Sequence, residues 1–367
     1  MATCEDISKY MNEIAPLSLA EEWDNAGLMI GGKSDTVKKI MVCLDVTSKV
    51  VKEAVEKNVD LIVSHHPLLF KPLKRILKDE FKGKILYELI KNNIAVYSAH
   101  TNLDVSDGGL NQYLAEYIGL KRIQNLNSYK NEKLYKVVVF VPEESLDGVR
   151  NAMCNAGAGW IGKYSDCTFS AVGTGTFRPR EGANPYIGSL EELEKVKEYR
   201  LETVVPERII NKVVNAMLNS HPYEEVAYDI YPLEIKGREF GLGKVGYVEP
   251  ACTFNDFLSR LKKALDLDAV KVIGEKPEIV SKAAVFSGSF DGNCSGLHRE
   301  KPDVLITGDI KHNNAIDLAE MGYCIIDAGH YATEIIVKEL ICNKLKNKFD
   351  DIEILKSEWE NNPAEYC

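Results

Sequence analysis

Asp60-Leu61-Ile62-Val63-Ser64-His65-His66-Pro67 sets an apolar run directly against two histidines and a proline. Uninterrupted Leu, Ile and Val is the pattern of a strand buried on both faces, as in a parallel sheet. The pattern recurs downstream. Asp60-Leu61-Ile62-Val63-Ser64 parallels Asp303-Val304-Leu305-Ile306-Thr307 at an offset of 243 residues. At the same offset, Val37-Lys38-Lys39-Ile40-Met41-Val42-Cys43 parallels Val280-Ser281-Lys282-Ala283-Ala284-Val285-Phe286. Ile94-Ala95-Val96-Tyr97-Ser98-Ala99-His100 resembles Tyr323-Cys324-Ile325-Ile326-Asp327-Ala328-Gly329-His330. Helix-patterned stretches such as Lys84 to Asn92 and Asn313 to Met321 lie between these runs. Such alternation predicts an α/β fold of largely parallel strands with crossover helices, built as two similar lobes.

A second repeat, at an offset of 64, lies between the lobes. Val141-Pro142-Glu143 followed by Asn151-Ala152-Met153 returns as Val205-Pro206-Glu207 followed by Asn215-Ala216-Met217. Alternating apolar runs lead in, Tyr135 to Val141 and Tyr199 to Val205, and strand-like stretches follow, Thr168 to Phe177 and Glu225 to Tyr231. Each Val-Pro is expected to open an amphipathic helix, since proline suits a first turn. The whole reads as a ferredoxin-like βαβ–βαβ module over 130–232, inserted into one domain split between 1–128 and 233–367.

Composition is consistent with this plan. The chain has 367 residues, 45% hydrophobic and 27% charged, as in globular proteins rather than disordered, collagen-like or coiled-coil chains. Its net charge of −10 speaks against a nucleic-acid binder, whose footprint is basic. No apolar run reaches the ~18 residues of a membrane span. The start, Met1 to Pro16, lacks the basic end and apolar middle of a signal peptide, so a cytoplasmic location is expected. Nine cysteines without a Cys-x-x-Cys pair disfavour a disulfide framework or zinc ribbon, and Cys43 and Cys324 read as buried small hydrophobes. Cys294 and His298 share at most a helix face, a weak ligand signal.

Open α/β sheets place ligands at strand ends, and four polar clusters fall there. His65 and His66 follow the strand at 61–63, with Pro67 forcing a bend. His100-Thr101-Asn102-Leu103-Asp104 follows another strand. His330 and Glu334, four apart in a helix-patterned stretch reaching Lys346, lie on one helix face. Thr307-Gly308-Asp309-Ile310-Lys311-His312 follows a third strand; Asp309 suits a supporting role behind a ligand, and Lys311 or His312 contact with substrate. His65, His66, Asp104, His330 and Glu334 together offer three imidazoles and two carboxylates. Mixed N/O ligands without thiolate suit Zn, Mn or Fe. Five exceed the three protein ligands of a mononuclear catalytic zinc, so two divalent ions are expected. Two such ions about 3.5–4 Å apart polarise an electrophile and generate hydroxide near neutral pH.

At these residues the chain resembles the GTP cyclohydrolase I type 2 homologues, the Nif-three-like dinuclear-metal proteins. The matching stretches are Glu22-Trp23-Asp24-Asn25-Ala26-Gly27-Leu28, Ser64-His65-His66-Pro67-Leu68, Ala99-His100-Thr101-Asn102-Leu103-Asp104, Ile306-Thr307-Gly308-Asp309-Ile310-Lys311 and Gly329-His330-Tyr331-Ala332-Thr333-Glu334. Gly173-Thr174-Gly175-Thr176-Phe177-Arg178-Pro179, Gly182-Ala183-Asn184-Pro185 and His221-Pro222-Tyr223-Glu224-Glu225 match the longer bacterial members. The resemblance covers essentially the whole chain. It implies a PII-like insert, metal positions at the same five residues, a toroidal homohexamer with sites facing an inner cavity, and water attack on the guanine ring of GTP with release of formate. The chain departs from the family pattern at His312-Asn313, where a Tyr-His pair is usual, and at Ser287-Gly288-Ser289-Phe290-Asp291-Gly292, where the turn is richer in glycine.

Three functions compete. A metal-dependent hydrolase would use the five ligands, with His100 shuttling protons. No phosphate-loop motif is present, so triphosphate contact would fall to Lys71, Lys74, Arg75 or Lys311. A metal-binding or delivery protein needs the same ligands without turnover. An interaction scaffold would act through the insert. His221-Pro222-Tyr223-Glu224-Glu225 reads as a turn into the last strand of that insert.

Overall fold

Both sets of alternating side chains are buried in the strands Lys39–Cys43 and Leu61–Ser64 of the computed structural model, which describes residues 1–364. Ile40, Val42, Leu61 and Val63 face one core, and Met41, Cys43 and Ile62 the other, as the twofold period of a strand requires. Ala95–Ser98 and Glu353–Lys356 extend the parallel pairing on either side, and Gly27–Ile30 closes one edge antiparallel. Helices Ser48–Glu56 and Phe81–Lys91 cover the outer face through Val50, Ala54, Ile85 and Leu89. Thr47 caps the first of these by accepting from the Val50 N–H. Helices Cys4–Ile14, Leu110–Tyr117 and Val337–Lys346 fill the core on the inner face.

A second sheet has the strand order Lys271–Ile273, Ile325–Asp327, Val304–Ile310, Ile279–Phe290, Glu239–Thr253, Lys121–Asn131. Its three central strands, from Ile325–Asp327 to Ile279–Phe290, are parallel. The offset of 243 holds here in register. Ile40 pairs with Leu61 and Ala283 with Val304; Cys43 pairs with Ser64 and Phe286 with Thr307. It also holds in hydrogen bonding. Asp60 Oδ2 accepts from the backbone N–H of Lys38 and Lys39, both at 2.8 Å. Asp303 Oδ2 accepts from those of Ser281 and Lys282, again both at 2.8 Å. Cys43 and Cys324 are buried. Cys294 precedes the helix Ser295–Glu300 and donates to the Gly292 carbonyl, while His298 meets the Tyr323 hydroxyl, so the two do not combine.

Met1–Lys130 with Phe240–Cys367 forms one unit and Asn131–Glu239 another; of the expected outer range 233–367, residues 365–367, Cys367 among them, lie outside the described ones. The second unit reaches past residue 232 because Glu132 N–H donates to Arg238 O and Gly237 N–H to Glu132 O, closing the segment back on its start. It is a β-α-β-β-α-β run. Its antiparallel sheet has the order Thr168–Phe177, Glu194–Pro206, Leu134–Pro142, Tyr228–Leu233. Helices Leu146–Asn155 and Ile210–Ser220 cover one face through Val149, Met153, Val213 and Met217. Pro142 and Pro206 end strands rather than open helices; a 3-10 turn follows each before the helix begins. The helical stretch after His330 is likewise two helices, His330–Glu334 and Val337–Lys346. Among the described residues no helix is long and apolar enough to cross a membrane.

One buried carboxylate ties the segment after Glu353–Lys356 to the helix Ser48–Glu56. Glu53 is fully buried and accepts from Ser357 Oγ at 2.7 Å, the Glu358 and Trp359 N–H groups at 3.0 and 3.1 Å, and Lys57 Nζ at 2.8 Å. Removing it leaves the buried Ser357 hydroxyl and the part-buried Glu358 and Trp359 N–H groups without their acceptor. Glu53→Ala should therefore lower unfolding free energy by on the order of 3 kcal/mol in urea titration, whereas Lys57→Met, at a partly exposed partner, should cost under about 1 kcal/mol. Equal losses would contradict this assignment.

Candidate metal centre

Four histidines gather where the parallel strands end, and in each one ring nitrogen is already committed. His65 Nδ1 meets the Ala99 carbonyl at 2.8 Å. A carbonyl only accepts, so Nδ1 carries the proton and Nε2 is left as a lone pair. Asp45 holds His66 Nδ1 at 3.0 Å, Asp24 holds His100 Nδ1 at 2.8 Å, and Asp309 holds His330 Nδ1 at 2.8 Å. Oxygen behind one ring nitrogen and an open second nitrogen is how metal-ligating histidines are oriented.

The open nitrogens converge. The His66 ring lies 5.1 Å from that of His65 and 5.4 Å from those of His100 and His330, centre to centre. Glu334 Oε2 stands 3.0 Å from Nε2 of both His66 and His330. His65 Nε2 lies 3.7 Å from Asp104 Oδ1 and 3.9 Å from Glu334 Oε1. Yet His65 Nε2 and Glu334 Oε2 are buried with no aligned hydrogen-bond partner. Orphaned buried polar atoms are costly in protein alone, and lone pairs converging on a common point are what a divalent cation satisfies. Two sets have ligand atoms within 4.8 Å of one another: His65, His66 and His100, and His66, His330 and Glu334. They share His66. The donor set therefore fits a metal ion, and Asp104 belongs to neither set.

Carboxylates and imidazoles perturb one another throughout the cluster. Burial opposes ionisation of Glu334, but the His330 and His66 rings outweigh it and hold the carboxyl well below its usual range. Burial also opposes charge on His66, yet Asp45 and Glu334 raise it to about 10. Glu334 raises His330 to about 9 against its burial, with help from Asp309. Burial, with His66 and His100 adding to it and Glu334 opposing, takes His65 down to about 3. Asp104 is pushed up by burial and by the Glu334 charge.

Two glycines make room. An added Cβ at Gly288, where φ is +60°, would strike Glu334 Oε1, and one at Gly308 would stand 2.6 Å from the Gly288 carbonyl and 2.8 Å from His330 Cα. The altered turn at 287–292 thus keeps the one glycine that Glu334 requires. Ser287 Oγ lies 3.4 Å from Asp104 Oδ1.

The sequence named five candidate ligands and Asp309, but treated His100 only as a proton carrier. The structure puts it among the candidate ligand atoms. A signal for this was present: His100-x-x-x-Asp104 and His330-x-x-x-Glu334 occupy matching ends of the two lobes. Asp24 and Asp45 were missed as orienting groups. Asp45 is itself placed by Glu360, which accepts from the Leu44 and Asp45 N–H groups at 3.0 and 2.6 Å. Lys71 lines a cavity of about 750 Å³ with Trp23 and Phe70, and the Trp23 ring lies 5.9 Å from that of His100. Lys311 and His312 are exposed where Val304–Ile310 gives way to the helix His312–Glu320; among the described residues neither side chain is bonded to the cluster.

Known proteins match over the same length. The family model described as Duf34/NIF3 (NGG1p interacting factor 3) matches residues 2–363. A Bacillus subtilis protein named "GTP cyclohydrolase 1 type 2 homolog" is 44% identical over 365 residues, 98% of this chain and 97% of that one. A Halalkalibacterium halodurans protein of the same name is 42% identical over 368 residues, 99% of this chain and 98% of that one. The crystal structure of a Bacillus cereus protein related to NIF3 superposes with a TM-score of 0.90 at 40% identity, covering 100% of this chain and 99% of that one.

With His66 raised to about 10 and His330 to about 9, metal entry at pH 7 should displace a proton from each ring. Calorimetric titration of the chelator-treated protein with Zn²⁺, in buffers of different ionisation heat, should return about two protons released per chain. Affinity should fall as pH falls. Uptake without proton release would contradict the assignment.

Proposed function

The chain belongs to the Duf34/NIF3 family, and on that premise we propose that it is a metal-dependent hydrolase holding two divalent ions, Zn, Fe or Mn, and acting on a purine nucleotide. The observation that carries this reading is the pair of ligand sets sharing His66, with His65 Nε2 and Glu334 Oε2 buried and unsatisfied. His65, His66, Asp104, His330 and Glu334 would hold the ions. Bound there, divalent ions lower the pKa of water and polarise the group under attack. The chain's own residues supply the rest. Asp24, held at about 2 by His100 and Thr101 against its burial, keeps the His100 Nδ1 proton in place. His100 Nε2 is then left as a lone pair beside His65 and His66, in the same ligand set. Trp23 and Phe70 give the neighbouring cavity an apolar wall for a planar base, with Lys71 there for phosphate. The relatives' name supports GTP as substrate, with water attack on the guanine ring and loss of formate. Family resemblance also supports a homohexamer, and a PII-like reading of the second unit.

A second reading, metal binding or delivery without turnover, is favoured by one observation. Lys311 and His312, expected at substrate, lie exposed without a bond to the cluster.

Reconstitution with Zn²⁺, Fe²⁺ or Mn²⁺ should load two ions per chain. GTP should then release formate, and Glu334→Ala should lower that rate by at least ~100-fold. Fewer than one ion per chain would overturn the dinuclear assignment. Full loading without formate would overturn GTP hydrolysis and leave metal delivery standing.

A further inference from the structure

Three motifs of the second unit play no part in the metal centre, and they build one cavity. Its volume is about 710 Å³, within the range of small-molecule sites. It lies on the sheet face opposite the two helices. Phe140, Glu198 and Arg200 share that face, because Phe140 pairs with Arg200 and Glu198 with Gly173. Gly173-Thr174-Gly175 forms the floor, the loop after Arg178 one wall, and Tyr223 another.

Charge is graded through this cavity. Glu198 is only 7% exposed, and accepts from the Tyr223 hydroxyl at 3.0 Å. Burial and Glu198 together push the Tyr223 hydroxyl up, so it remains a donor. Gly175 leaves the acid its room: an added Cβ would strike its carboxylate as it now lies. His221 fixes the Tyr223 loop, its Nε2 against the Phe140 carbonyl at 2.9 Å and its Nδ1 accepting from the Tyr223 N–H at 3.1 Å. Phe177 and Tyr186 flank Tyr223, with ring centres 6.0 and 6.1 Å away. At the exposed rim stand Arg178, Arg180 and Arg200. Arg180 pairs with Glu191 and Arg200 with Glu202; among the described residues Arg178 has no ion pair.

A deep carboxylate, aromatic walls and rim guanidiniums define a ligand end to end. A carboxylate accepts paired N–H donors, aromatic rings stack on a planar ring, and guanidinium binds phosphate or carboxylate. We propose that this cavity binds a planar heterocycle with an N–H/NH₂ edge at Glu198 and an anionic substituent at Arg178, making the second unit a small-molecule site separate from the metal centre. The anion is a phosphate if the ligand is a nucleotide, and a carboxylate if it is a pterin-type acid.

Four probes test this on the full chain after chelation: GTP, pterin-6-carboxylate, guanosine and tripolyphosphate, each by calorimetry. GTP or pterin-6-carboxylate should bind once per chain, the one that binds identifying the anion. Guanosine and tripolyphosphate, each lacking one end, should bind at least roughly tenfold more weakly. Arg178→Glu, Tyr223→Ala and the shape-conserving Glu198→Gln should each weaken the complete ligand by roughly tenfold or more with metal loading unchanged. Arg178 is exposed and, among the described residues, without an ion pair, so its variant folds independently of the outcome. No saturable binding of either complete probe below about 1 mM would overturn the proposal. So would binding that survives Arg178→Glu and Tyr223→Ala but is lost in His66→Ala, which would place it at the metal centre.

Discussion

An oxygen behind the Nδ1 of every clustered histidine is the constraint from which the rest of the centre follows. Without it each imidazole would choose its own tautomer and rotamer, and the Nε2 atoms would not meet. With it the rings are pre-aimed, and ordering them is done during folding rather than on metal arrival. The oxygens come from different places: a strand-end carbonyl at Ala99, and carboxylates at Asp24, Asp45 and Asp309. Each sits on rigid backbone near a strand terminus or helix start. The α/β fold thus serves the chemistry by delivering several strand ends, and their supporting oxygens, to one place.

The two lobes are built alike but contribute unequally. Matching registers and the matching Asp60 and Asp303 bridges show the same framework twice. Each framework ends in a His-x-x-x-acid turn. Where the first places His65 and His66, the second has Gly308 and Asp309. Gly308 leaves space for the His330 backbone, and Asp309 turns from ligand position to ring support. The first lobe therefore supplies most of the nitrogen, while the second supplies the carboxylate that lies among three of the rings.

Much of this was legible because it is local. The alternation of β-branched runs with helical stretches gave the parallel strands, and the offset of 243 gave register itself. His65, His66, His330 and Glu334 could be picked out by position at strand ends. What escaped was set by side-chain contact across long separations. Asp24 touches His100, and Glu360 places Asp45 from more than three hundred residues away; neither carries a periodic mark. Pro142 and Pro206 misled for a related reason, since a proline fits the end of a strand as well as the first turn of a helix.

The candidate ligands run from His65 to Glu334, and the whole segment Asn131–Glu239 lies between them in the chain with a core of its own. Ions held by both lobes would act as a cross-link closing one of the longest loops in the chain, where closure entropy is greatest. Metal affinity and folding free energy then become one quantity measured in two ways. A chain whose lobes have not docked offers only fragments of the coordination sphere, so possession of metal becomes a certificate that the split domain has been assembled.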